Sequence, residues 1–135
     1  MYAVHANYMP SRGFGSRAFY GTWDLDCPPV LTDANQCAEN GRNHQWGWYA
    51  EGSYRFDIGS DDGEQSLGFM IRRQEWDDKA GTKNATTTKN NITMTTFGVN
   101  WWLTDQAVLK ADWERKKTFG STAVQGFNMG MGYNF

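Results

Sequence analysis

The sequence predicts an all-β protein built from about seven long antiparallel strands, and three features carry that expectation. Large apolar residues recur at every second position nearly everywhere, the period of a strand with two unlike faces. Aromatic residues make up 16% of the 135 residues and Gly is 15, against five Leu, five Val and three Ile, a mixture unsuited to a helical core. Connections alternate between very short and long, as in a meander of hairpins.

The segments follow in chain order. Tyr2, Val4, Ala6 and Tyr8 alternate with Ala3, His5, Asn7 and Met9. Phe14 to Leu25 reads as extended, although its two faces do not separate. Trp46, Trp48, Ala50, Gly52, Tyr54 and Phe56 alternate with Gln45, Gly47, Tyr49, Glu51, Ser53 and Arg55, and Leu67, Phe69 and Ile71 with Gly68, Met70 and Arg72. Phe97, Val99, Trp101 and Leu103 oppose Thr96, Gly98, Asn100 and Trp102 in facing. Ala107, Leu109, Ala111 and Trp113 do the same against Val108, Lys110, Asp112 and Glu114, and Phe127, Met129, Met131, Tyr133 and Phe135 against Gly126, Asn128, Gly130, Gly132 and Asn134. Long connections fall at about 26–43 and 78–92; the others are at 10–13, 58–64, 104–106 and 118–123.

Parity fixes one hairpin. If Trp101 and Leu109 share a face, a three-residue turn Thr104-Asp105-Gln106 pairs 103 with 107. Val99 then faces Ala111, Phe97 faces Trp113, and the other side pairs Asn100 with Lys110, Gly98 with Asp112 and Thr96 with Glu114.

Strands of roughly nine to thirteen residues suit a tilted membrane crossing better than a soluble sheet. On several strands aromatics stand at both ends of the apolar face with smaller or flexible residues between, the order expected of an apolar band between two aromatic girdles. Glycines on the polar face, Gly98, Gly126, Gly130 and Gly132, suit a wall where side chains crowd. The sequence therefore predicts a transmembrane β-barrel in which Lys110, Asp112, Glu114, Arg72, Arg55, Glu51 and Asn100 line the lumen. Lys110, Asp112 and Glu114 serve there either as a bracing charge ladder or in ion selectivity.

Other chemistries are poorly served. The net charge of −2 calls for no nucleic acid or other polyanion. No run of about 18 apolar residues could form a transmembrane helix, and residues 1–30 lack the basic start and apolar run of a signal peptide. His5 and His44 are isolated and no CxxC spacing occurs, so no metal site is expected. Asp57, Asp61, Asp62 and Glu64 lack the spacing of a calcium loop. There is no phosphate-binding Gly-rich loop and no local signature joining Ser, His and a carboxylate; with His44 the sole candidate base, neither enzyme nor cofactor is expected. Asn84-Ala-Thr86 and Asn91-Ile-Thr93 fit a glycosylation pattern that Asn/Thr-rich loops produce by chance. Cys27 and Cys37, ten apart in a Pro/Asn/Asp-rich segment, are expected to pair as a disulfide.

Gly126 to Phe135, with its terminal Phe and strict alternation, resembles the C-terminal strand of Gram-negative outer-membrane proteins. Thr96 to Trp113 resembles the last hairpin of porins of the phosphate-selective O and P type, and Trp48 to Phe56 is similar to another strand of that family. The resemblance covers about 45 C-terminal residues well and is thinner before them. It implies a bacterial outer-membrane porin passing small hydrophilic solutes or ions by diffusion, and assigns Phe135 and Tyr133 to the assembly signal. It implies as partners outer-membrane lipid, the barrel assembly machinery and a homo-oligomer such as a trimer. Porins of that kind have about sixteen strands, so the chain would supply the C-terminal portion of the wall. The basic track of a phosphate-selective pore has no match here. A small closed structural or adhesive barrel and, less well supported, a soluble ligand-binding barrel are the alternatives.

Overall fold

The computed structural model describes residues 1–26, 42–59, 65–81 and 91–134. They form seven strands: β1 (Tyr2–Tyr8), β2 (Gly13–Asp24), β3 (His44–Asp57), β4 (Ser66–Asp77), β5 (Ile92–Trp102), β6 (Ala107–Thr118) and β7 (Val124–Tyr133). Each pairs antiparallel with the next in one sheet of order β1-β2-β3-β4-β5-β6-β7, so the expected meander is the observed one. β1 and β7 are its two edges, and the sheet is open between them. Cys27, Cys37 and Phe135 lie outside the described residues, as do 27–41 and 82–90 of the two expected long loops.

Local chemistry sets the turns. Between β5 and β6, Thr104 Oγ1 accepts from the backbone N–H of Gln106 (3.2 Å) and of Ala107 (3.1 Å), and Leu103 N–H bonds the Ala107 carbonyl (2.9 Å). The hairpin register is the one parity demanded, with Trp101 opposite Leu109, Asn100 opposite Lys110 and Thr96 opposite Glu114. The β6–β7 turn closes through Gly120, whose φ of 76° suits a residue without a Cβ.

Register also sorts β2, whose faces the sequence left mixed. Ala18 pairs with Ala50 and Phe14 with Tyr54, so Phe14, Ser16, Ala18 and Tyr20 join the apolar face, while Arg17, Phe19 and Trp23 join the polar one. Small residues on one face and aromatics on the other blur the alternation.

The burial pattern inverts that of a soluble sheet. No apolar side chain among the described residues is buried. Phe69, Ile71, Phe97, Val99, Trp101 and Leu109 stand exposed in mid-sheet, whereas Gly15, Gly21, Glu51, Ser66, Gly68, Thr96 and Gly98 are buried on the polar side. Crowding on one face and splaying on the other is what a sheet bent toward its polar side produces. Such a continuous uncovered apolar surface is strongly unfavourable in water, each large side chain forgoing part of the roughly 1.5–3 kcal/mol that full burial gives.

The apolar band does not run along the hydrogen-bonded rows. One row crosses all seven strands: Tyr8, Ser16, Gly52, Ile71, Phe97, Trp113 and Phe127. On β1 this row is the turn-side end of the apolar residues. On β7 it is their opposite end, because beyond Ile71, Phe97, Trp113 and Phe127 the same face carries Arg73, Thr95, Arg115 and Gln125. The band thus drifts by about six residues over six strand steps, most of it between β1 and β4. At ~3.3 Å per residue and ~4.8 Å per strand, that inclines it by about 35° to the rows. The polar upper ends of β4, β5 and β6 on this face were not foreseen from the alternation.

Candidate functional site: the polar face

The polar face is a grid whose rows are fixed by strand register. Its central row reads Arg17, Glu51, Arg72, Thr96, Glu114 and Gly126. Toward the short turns the next rows read Gly15, Ser53, Met70, Gly98, Asp112 and Asn128, then Gly13, Arg55, Gly68, Asn100, Lys110 and Gly130. All seven residues expected to line a lumen, Glu51, Arg55, Arg72, Asn100, Lys110, Asp112 and Glu114, share this face.

Glu51 is the most enclosed charge. Its Oε1 accepts from Arg17 Nε (2.8 Å) and Nη2 (2.5 Å), and its Oε2 from Arg72 Nε (2.9 Å) and Nη2 (2.6 Å). The carboxylate side chain is 2% exposed, against 36% and 31% for the two arginines. Two forked donors on one carboxylate fill both oxygens and leave a net charge of one positive. Arg72 also lies 5.1 Å from the Tyr49 ring centroid, and Tyr49 stacks on Phe19 at 5.8 Å. Arg17 escaped sequence reasoning because its partner is 34 residues away and β2 showed no clear face.

A second cation is held by a hydroxyl and an indole ring. Arg55 Nε donates to Ser66 Oγ (2.7 Å), and its guanidinium lies 4.0 Å from the Trp102 ring centroid. The indole covers Gly68, where an added Cβ would come within 2.7 Å of it. Such a contact positions a guanidinium while leaving donors for water or solute. Arg17, Glu51, Ser53, Arg55, Asn100 and Trp102 border a hollow of about 320 Å³, flanked by Met9, Pro10 and Ser11 of the first turn.

On β6, Asp112 Oδ2 accepts from Asn128 Nδ2 (2.8 Å), while exposed Lys110 and half-buried Glu114 are in no ion pair among the described residues. Among the described residues no ion pair joins Lys110, Asp112 and Glu114 to one another: residues two apart on a strand stand about 6.6 Å from each other, and Asp112 turns to its cross-strand neighbour. The glycines divide as well. Gly98 lies under Met70 and Gly132 against Val108, as crowding requires, but nothing stands within 4 Å of a Cβ built on Gly126 or Gly130.

Among the described residues no three His, Cys, Asp or Glu converge as metal ligands. The nearest approach to a catalytic set is at the loop end of the sheet, where His44 Nδ1 lies 2.6 Å from Asp24 Oδ1 and its Nε2 lies 3.5 Å from Thr22 Oγ1, a hydroxyl that donates to the Gln45 carbonyl (3.2 Å). No protein family, curated protein or solved structure matches the chain.

Proposed function

We propose that the seven strands are part of the wall of an outer-membrane β-barrel, with the apolar face in lipid and the polar face on a water-filled lumen. The protein then acts as a porin, passing small hydrophilic solutes or ions by diffusion. The observation that carries this reading is the oblique apolar band. Strands of membrane barrels tilt by about 35–45°, so a band level with the membrane must cross their rows at that angle. A soluble ligand-binding barrel would hold the apolar face inside, whereas here that face is exposed and the polar face is crowded.

Strand direction bears on closure. β1 and β7 run the same way in the meander, so closing the sheet with antiparallel pairs takes an odd number of further strands. One further strand gives a narrow, filled barrel of the structural or adhesive kind; many give a pore. Arg55, Asn100 and Lys110, in one row and without carboxylate partners among the described residues, would then meet permeating solutes.

Membrane fractionation followed by planar-bilayer recording tests the reading. Extraction only by detergent, with stepwise conductance, is expected. Detergent extraction of a folded protein without conductance would favour the closed barrel, and release into plain buffer would favour the soluble one.

A further inference from the structure

The two bare glycines of β7 describe the strand that belongs beside it. Inside the sheet, every polar-face glycine of β3, β4 and β5 lies against a neighbouring side chain. A Cβ on Gly47 would meet Trp76 at 3.1 Å, one on Gly68 the Trp102 ring at 2.7 Å, and one on Gly98 the Met70 side chain at 2.8 Å. On β2, Gly15 lies under Ser53 and Met9 and Gly21 under Phe19, while Gly13 has open space but sits at a φ of 85° that itself calls for glycine. Glycine in a strand interior costs stability unless another group fills the space it leaves. Gly21, Gly68 and Gly98 show the compensation, with the Phe19 ring, the Trp102 ring and the Met70 side chain lying over the missing Cβ, while Gly47 and Gly15 are filled by the Trp76 Cβ and by Ser53 and Met9. Gly126 and Gly130 have none: their β6 partners, Glu114 and Lys110, leave the space above them open.

A second observation points the same way. Exposure on the apolar face climbs from 39% at Val99 and 41% at Leu109 to 79% at Met129 and 86% at Met131, so the free flank of β7 lacks a neighbour that the inner strands have. The outer backbone groups of β7 are a pairing template.

We infer that β7 pairs antiparallel with a strand outside the seven that carries bulky, flat-lying side chains (aromatic, Met or Arg) at two lumen-facing positions four residues apart. These cover Gly126 and Gly130 as Trp102 covers Gly68. On its other face that strand is apolar, extending the row of Phe127, Met129 and Met131. Neither edge of this chain meets the requirement. β1 runs parallel to β7 and presents Ala3, His5 and Asn7 on the polar face. A second copy's β7 would offer only Val124, Asn128 and glycines on that face. The inference rests on the barrel reading and specifies the partner at its seam.

Reactivity of single cysteines in the membrane-assembled protein tests it, in a background with Cys27 and Cys37 replaced by Ser. Gly126→Cys and Gly130→Cys should react with a water-soluble maleimide at least tenfold more slowly than Lys110→Cys, which shares a row with Gly130. Equal rates would overturn the inference and leave the barrel standing, whereas a parent protein that washes off the membrane in buffer would overturn both. Gly130→Leu is the second variant. The seven strands offer it open space, so a tenfold loss of SDS-resistant folded protein, with Val124→Leu on the same strand and face unaffected, supports a covering side chain from elsewhere. Assembly of Gly130→Leu at the parent level would count against one.

Discussion

Glu51 sets the strongest local constraint on the polar face, and Glu51→Gln measures it. Gln keeps the shape but offers one carbonyl oxygen to one arginine and turns its NH₂ toward the other. Two of the four charge-assisted bonds are lost and a donor meets a donor. Breaking a buried ion pair from one side costs about 3–5 kcal/mol. Both guanidiniums remain about one-third exposed, so water recovers part of their solvation, and the lower end, about 3 kcal/mol, is the expected loss. Glu114→Gln, on the same row but in no ion pair among the described residues, should cost under about 0.5 kcal/mol. Guanidinium unfolding of protein refolded in detergent micelles reads the difference. At a slope of about 3 kcal/mol per molar, Glu51→Gln should lower the midpoint by roughly 1 M. Midpoints for the two variants agreeing within about 0.2 M would refute the clamp.

Three further substitutions probe the faces separately. Val99→Arg places a charge in the middle of the apolar band and should cost about 2–4 kcal/mol, read as lost SDS-resistant folded protein, while Asn100→Arg one residue on should assemble normally. Gly68→Val drives a side chain into the Trp102 ring and displaces Arg55; a loss of about 1–3 kcal/mol and a shift in tryptophan emission are expected, and an unchanged spectrum would deny the packing. Lys110→Glu should move the reversal potential in planar bilayers toward cations, since an unpaired charge on a water-filled wall acts on passing ions; unaltered selectivity in a normally assembled barrel would make Lys110 wall only.

Much of the sheet was legible because its information is local. Phe97 to Trp113 carries strict alternation on both arms and a turn that can place Leu103 only against Ala107, so register followed from parity. β2 was opaque for the converse reason. Its apolar side is Phe14, Ser16, Ala18 and Tyr20 and its polar side includes Phe19 and Trp23, and only the ladder to β3 says which is which. The candidate site suffered from the same gap. The seven expected residues fell on one face, but the clamp on Glu51 needs Arg17 from β2 and Arg72 from β4, two long-range neighbours that no spacing in the chain announces. Asp112 pairs across to Asn128 rather than along its own strand, because strand geometry favours cross-strand neighbours over i, i+2 pairs. The inclination of the band became visible only when six registers were laid side by side.

That inclination is the most direct test of the account. Tyr8 and Phe127 belong to one row, so strands standing upright in a membrane would hold them at equal depth. Six strand steps of ~4.8 Å at ~35° separate them instead by about 16 Å along the membrane normal. Spin labels at Tyr8→Cys and Phe127→Cys, in liposome-reconstituted protein with Cys27 and Cys37 replaced by Ser, report that depth through relaxation by oxygen and by a water-soluble nickel complex. Labels near opposite interfaces, about 16 Å apart in depth, are the predicted result; equal depths, or two labels that meet no lipid, would contradict a tilted wall in the membrane.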